Sequence, residues 1–180
     1  MLTLEVLPKL GVNNSTMELV EVKACTLHLE HSLLAISKWE AKHHKIFLGD
    51  EKRTMPELKS YAKCMCLDKN VDDAVFSTLS PKEFEQILAY IEDPMTATTF
   101  GPSDDDNGKD TETMSSELLY YYMFRNDIPI SCEKWHINRL LTLLRICGIK
   151  DKVSGKPKKS QSQLLQKYAA MHAARKKAKK

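Results

Sequence analysis

The chain has 180 residues, of which 42% are hydrophobic and 28% charged, and a formal net charge of +3. That length fits one domain plus an appendage, and no apolar run approaches the ~20 residues that a membrane helix needs. The charge is unevenly spread: residues 150–180 hold eleven Lys or Arg against one acid, Asp151, about +10, which leaves about −7 on residues 1–149 of a chain at +3. An acidic body with a basic tail implies two parts that meet different partners, or each other. The charges Glu5, Lys9, Glu18 and Glu21 break up the N-terminus, so no signal peptide is expected. An odd count of five cysteines fits free thiols in a reducing cytosol.

In chain order, Leu2, Leu4 and Val6 share one face of a strand over Leu2–Leu7, and Val20 and Val22 share one face over Met17–Lys23. Turn residues from Gly11 to Ser15 lie between them, so the pair reads as a β-hairpin that must pack on helices to be stable. Leu29, Leu33, Ile36 and Glu40, widened by Leu34 and Trp39, predict a helix over Leu27–His44. Gly49-Asp50 ends the pattern. Thr54-Met55-Pro56-Glu57 opens a second helix with Leu58, Tyr61, Ala62 and Met65 on one face. A short turn is expected at Asp72–Leu79. Ser80-Pro81-Lys82-Glu83 then combines a capping serine, a first-turn proline and a glutamate placed to reach back. Phe84, Ile87, Leu88 and Ile91 follow as the buried stripe, and Asp93-Pro94 stops it.

Met95–Phe100 reads as a short strand or extended segment, and Pro102–Thr113, with Asp104–Asp106 and Asn107-Gly108, as a loop. A helix over about Met114–Asn126 comes next, then a turn at Asp127-Ile128-Pro129. Ser131 is placed to cap a further helix carrying Trp135, Leu140, Leu141, Leu144 and Ile146 or Cys147, and Gly148 to end it in the left-handed conformation. Residues 151–160 read as a linker. Gln161–Lys180 predict a last helix with Leu164, Leu165, Tyr168 and Met171 on one side. The expected fold is mainly α, of the α+β kind: residues 1–150 form a helical domain with an N-terminal hairpin, and residues 151–180 a basic tail, helical or disordered.

The chain shows little catalytic or metal-binding patterning. Cys64-Met65-Cys66 with His43-His44 upstream lacks the paired C-x₂₋₄-C spacing of zinc sites. On a helix those two thiols diverge by about 200°, so they read as small apolar residues on different faces. Cys132 and His136 share a helical spacing, but a nucleophile needs an orienting third group and none is identifiable. Glu30-His31 and Glu133…His136 do not assemble a di-metal motif. Neither a phosphate loop nor a dinucleotide fingerprint occurs. No cofactor is expected, and the chain reads as a binding protein and not an enzyme.

Two stretches read as binding surfaces. Tyr120, Tyr121, Tyr122 and Phe124 concentrate on one helix, with Trp135 close behind. Three successive tyrosines point about 100° apart, so they cannot all be buried the same way, and tyrosine suits interfaces because its ring is apolar and its tip polar. The alternative is a core helix with tyrosine rims. The second stretch is the tail, where Leu164 and Tyr168 lie on an apolar stripe and Arg175, Lys176 and Lys177 supply charge. Charge alone supports nonspecific nucleic-acid contact, but no scaffold for aiming base-reading side chains accompanies it. A protein partner fits better than nucleic acid, and self-association is compatible.

Four segments and the ending carry a resemblance. They are Leu29–Glu40 (LEHSLLAISKWE), Tyr90–Thr98 (YIEDPMTAT), Glu117–Met123 (ELLYYYM), Trp135–Leu144 (WHINRLLTLL) and the basic Ala173–Lys177 (AARKK). Together they resemble the tail assembly chaperone-like proteins of tailed phages, over most of residues 24–180. The resemblance implies a phage protein acting in the host cytoplasm, without a membrane. It would bind the long helical tape-measure protein before tail-tube subunits polymerise around it, and it could also meet the tail-tube protein. A structural tail or connector component is the alternative, and a nonspecific nucleic-acid binder a second one. On the chaperone reading Tyr120, Tyr121, Phe124 and Trp135 form one contact surface, and the tail with Leu164, Tyr168, Arg175, Lys176 and Lys177 another.

Overall fold

A computed structural model describes residues 1–12, 19–49, 51–100 and 114–154. The fold is mixed α+β. Among the described residues four strands come first: β1 (Leu2–Val6), β2 (Lys9–Val12), β3 (Leu19–Val22) and β4 (Cys25–Leu29). Six helices follow: α1 (Leu33–His43), α2 (Met55–Met65), α3 (Asp73–Ser77), α4 (Pro81–Glu92), α5 (Ser116–Arg125) and α6 (Ile137–Ser154), with a 3-10 turn at Ile130–Lys134 before α6.

The strand pairing differs from the predicted hairpin. β1 pairs not with Met17–Lys23 but with β4, Leu2 opposite Leu29 and Val6 opposite Cys25. β2 pairs with β3, Lys9 opposite Val22 and Val12 opposite Leu19. The two pairs keep one antiparallel register and form a single ribbon interrupted where Leu7-Pro8 faces Lys23-Ala24. Proline has no N–H to give to a ladder, which accounts for the gap. The ribbon also rolls over at the gap. Leu4 and Val6 of β1 and Leu27 and Leu29 of β4 are buried, but beyond Pro8 the inward residue is Val22, while Leu10 and Glu21 point outward. Residues 13–18, which include most of the predicted turn, lie outside the described residues.

The helix predicted over Leu27–His44 starts only at Leu33. Cys25–Leu29 is taken by the ladder to β1, and Ser32 sets the helix start, its Oγ accepting the Ala35 N–H at 3.3 Å. α2 and α4 begin where their capping patterns predict. Thr54 donates its backbone N–H to Glu57 at 2.8 Å. Ser80 and Glu83 bond reciprocally, Ser80 N–H to the Glu83 carboxylate at 2.6 Å and Glu83 N–H to Ser80 Oγ at 3.3 Å. The expected turn at Asp72–Leu79 is α3, with Asp72 accepting the Ala74 N–H at 2.9 Å. Met95–Phe100 joins no strand ladder.

The helix expected to start at Ser131 does not. Ser131 lies in the 3-10 turn, Trp135 is extended (φ −71°, ψ 157°), and α6 begins at Ile137. The Ile137 N–H donates instead to the carbonyl of His31 at 2.7 Å, so this helix start is tied to the β4–α1 junction. Gly148 does not end α6, which runs through Ser154 and so covers the first residues of the predicted linker. Glycine costs a helix interior only about 1 kcal/mol relative to alanine, which the rest of α6 offsets. The predicted loop Pro102–Thr113 and the tail from Gly155 lie outside the described residues.

One core joins the ribbon to the helices. Leu4, Leu27 and Leu29 from the ribbon, Leu33, Ile36 and Trp39 from α1, Tyr61 and Met65 from α2, Ile87 from α4, Leu119 and Met123 from α5, and Ile137 from α6 are all fully buried. Each such side chain stabilises the fold by about 1.5–3 kcal/mol relative to exposure. Among the described residues, no helix is long and apolar enough to cross a membrane.

Candidate protein-binding surface

Behind the surface lies a buried polar network that fixes its supports. His31 and His136 meet edge to face, ring centroids 5.0 Å apart. His31 Nδ1 lies 2.5 Å from the Tyr61 hydroxyl, and His136 Nε2 lies 3.0 Å from the Tyr90 carbonyl. With a carbonyl as partner, His136 Nε2 carries the proton and donates. Its Nδ1 accepts the Asn138 N–H at 3.3 Å, so both ring nitrogens are engaged. Burial, reinforced by the nearby His136, holds the His31 pKa down to about 3. Burial also pushes the Tyr61 phenol up, so the pair is neutral. The Tyr90 phenol, raised by burial and then by its bond to Glu30, donates to that carboxylate at 2.7 Å. This network joins the β4–α1 junction, α2, α4 and the start of α6.

A second buried acid anchors α5. Glu40, on α1, accepts the Phe47 N–H and the Ser116 N–H, both at 2.8 Å, one on each oxygen. Ser116 is the first residue of α5, so the charge also meets the positive end of that helix. Trp39 anchors α1 on α2 by donating its indole N–H to the Glu57 carbonyl at 3.0 Å.

On this frame α5 separates its aromatic residues. Leu119 and Met123 enter the core, and so does Phe124, only 7% exposed. Phe124 is therefore not part of an outward strip, a correction to the surface read from the sequence. By helical phase Phe124 shares a face with Tyr120, and it is buried beside that ring. Tyr120 is half-buried, its ring parallel to that of Phe124 at 6.4 Å and its hydroxyl donating to the buried Glu133 at 2.9 Å. Tyr121 is the exposed member at 44%, its ring edge-on to the half-buried Tyr122 at 5.4 Å. Trp135 is half-buried beneath the Arg139 guanidinium, 4.3 Å above the ring. Leu164, Tyr168, Arg175, Lys176 and Lys177 lie outside the described residues.

Sequence reasoning missed the middle of α6. Ile137 and Leu140 are buried, yet from Leu141 through Cys147 every residue is only half-buried. Leu141, Leu143 and Leu144 pack against the core yet keep part of their surface accessible, and Ile146 is likewise only partly buried. The apolar positions are crowded too closely for one stripe, so they cannot all turn fully inward. The ribbon carries a further group: Leu7, Leu10 and Leu19 are 71%, 75% and 78% exposed.

The other candidate chemistry separates in space. Among the described residues no group of three or more His, Cys, Asp or Glu side chains is placed to hold a metal ion. Cys66 directs its thiol to Asp68, and burial raises both the Cys64 and the Cys66 thiol. Cys132 is buried, and His136, four residues on, bonds to the Tyr90 carbonyl and the Asn138 N–H. Comparison with protein-family models, with curated proteins and with solved structures found no match to this chain.

Proposed function

We propose that this protein is a non-catalytic, tail assembly chaperone-like protein that holds the tape-measure protein of a tailed phage in the host cytoplasm until tail-tube subunits arrive. The observation that carries the reading is the apolar run on α6, Leu141 to Cys147, in which no side chain reaches full burial. It overlaps the end of Trp135–Leu144, the segment with the strongest resemblance to that family. A tape measure is a long helix whose apolar face aggregates when bare. A helix offering partly accessible leucines can pack along such a face as helix on helix, and Trp135 and the exposed Tyr121 are separate candidate contacts on the same domain. The basic tail adds a second, electrostatic grip. Contacts spread over half-buried leucines give modest affinity and rapid release, which suits a holder that must leave.

The test is capture. A tagged copy co-expressed with the tape-measure protein of the same genome retains it, and the Tyr121→Ser, Leu143→Ser double variant loses most of that capture at unchanged far-UV circular dichroism. Equal capture by the variant removes α6 and Tyr121 as the contact, and no capture by the parent protein removes the reading. A structural tail component is separated by mass spectrometry of purified particles, where stoichiometric presence favours structure over chaperoning. Binding to nucleic acid that weakens steeply with salt would favour the tail as a nucleic-acid arm.

A further inference from the structure

The ribbon beyond Pro8 displays apolar side chains that the body leaves uncovered. Leu10 lies opposite Glu21 and Val12 opposite Leu19, so Leu10 and Leu19 are diagonal neighbours on one face. They are 75% and 78% exposed, and Leu7, at the ribbon gap, is 71% exposed. The opposite face is occupied. Val22 is buried, and the Gly11 backbone lies against Thr78, where an added Cβ would stand 2.1 Å from Thr78 Cγ2. Lys9 is pinned to Glu83 at 2.6 Å. The ribbon is therefore held against α3 and α4 with its leucines turned outward. Two exposed acids, Glu5 and Glu21, and one exposed base, Lys23, flank those leucines.

Three leucines make a patch of only a few hundred Å², well short of the ~800 Å² per partner that a stable dimer interface takes. A segment of the same chain needs far less, because tethering supplies an effective concentration in the millimolar range. The sequence from Gln161 to Lys180 matches the patch in both respects. Leu164, Leu165, Tyr168 and Met171 recur at helical spacing, and Lys167 and Lys176 lie among and after them. The patch is apolar with two acids and one base, Lys23, around it, a net negative rim, and the segment is apolar with basic flanks. From Ser154 to Leu164 an extended chain spans about 33 Å, comparable with the width of a domain of this size. We infer that the C-terminal segment Gln161–Lys180 folds back onto the outer face of the ribbon, its apolar stripe on Leu7, Leu10 and Leu19 and its lysines beside Glu5 and Glu21. No client enters the argument, and the inference places the tail on the body in the absence of a client, so that it must leave the ribbon before it can serve as the second grip.

The test uses the full chain. Carbodiimide cross-linking joins carboxylates to lysines in contact, and mixing ¹⁴N- and ¹⁵N-labelled protein separates links within one chain from links between copies. The expected result is links from Glu5 or Glu21 to Lys167, Lys176 or Lys177 within one chain. The variant Leu10→Ser, Leu19→Ser removes only exposed side chains and keeps the fold. It is expected to lower those links at least five-fold and to speed tryptic cleavage at Lys167. Links found only between differently labelled chains would overturn the inference in favour of a second copy. Links that survive unchanged in the variant, or lysine links that never involve the ribbon acids, would overturn it outright.

Discussion

Acidification should destabilise this fold well above the range in which carboxylates protonate, and His31 is the reason. Its pKa is about 3 in the folded protein, against 6.5 for an ordinary histidine. A folded pKa below the unfolded one means that the unfolded chain holds the extra proton between the two values. The contribution is fully present above pH 6.5 and is lost as pH falls towards the folded value, at about 1.4 kcal/mol per pH unit. From pH 6.5 to 4.5 the loss is roughly 2–3 kcal/mol, a large share of a typical 5–15 kcal/mol stability. The groups facing His31 leave the proton no good home: the Tyr61 hydroxyl at Nδ1, the His136 ring at its edge, and the Phe47 ring 6.2 Å from its own. Glu30 and Glu40 act on Tyr61 more than on the imidazole, Glu40 being bonded to Phe47 and Ser116. The assay is urea unfolding of the parent protein and of His31→Asn at half-unit steps from pH 7 to 4.5. Asparagine keeps a polar group near Tyr61 and cannot titrate. Carboxylates titrate in both proteins and cancel in the difference. The parent should lose roughly 2–3 kcal/mol more than the variant across the window. Parallel curves would refute the assignment of this proton to His31.

Three other outcomes follow from the packing. Glu40→Ala strips two buried backbone N–H groups of their partner and should cost about 2–4 kcal/mol in urea unfolding, Glu40→Gln about half of that; a loss below about 0.5 kcal/mol for both would show that water replaces the carboxylate. Gly11→Ala drives a methyl into Thr78 and should cost about 1–3 kcal/mol, while Thr78→Ser, which removes Cγ2 but keeps the hydroxyl bonded to the Ala74 carbonyl, should recover most of it; additive losses in that double-mutant cycle would place the ribbon elsewhere. Burial raises the thiols of Cys25, Cys64, Cys66 and Cys147, so their alkylation by iodoacetamide at pH 7.5, followed by mass spectrometry, should be slower than that of glutathione, and a cysteine reacting faster would expose an activated thiolate.

Where local chemistry settled the structure, it was legible in the residues. Thr54 with Glu57 and Ser80 with Glu83 mark two helix starts because a capping box involves only four neighbouring residues. The core stripes of α2 and α4, with Tyr61, Met65, Phe84 and Ile87, follow from helical period alone. What was not legible was set by partners distant in sequence. Cys25–Leu29 is apolar enough for the helix that follows it, and only the ladder to Leu2–Val6 makes it a strand. Ser131 is a sound cap by composition, yet α6 waits until Ile137 because that N–H reaches the His31 carbonyl, across more than a hundred residues of chain. The inward face of Leu2, Leu4 and Val6 was legible from alternation, whereas the outward turn of Leu10 follows from the rollover at Pro8. On the candidate surface, the sequence showed that three consecutive tyrosines cannot share one face, but not that Tyr121 is the exposed one. Phe124 was not legible as core, since its place depends on which side of α5 meets Glu40 and the helices behind it.

The proposed holding of a tape-measure protein is tested most directly by sedimentation of that protein synthesised with and without this chain, in lysates brought to equal total protein. The account predicts that the tape-measure protein moves from the pellet to the supernatant when the chain is present, and returns to the pellet with the Tyr121→Ser, Leu143→Ser variant. A tape-measure protein that stays equally in the supernatant without this chain, or equally in the pellet with it, would contradict the account.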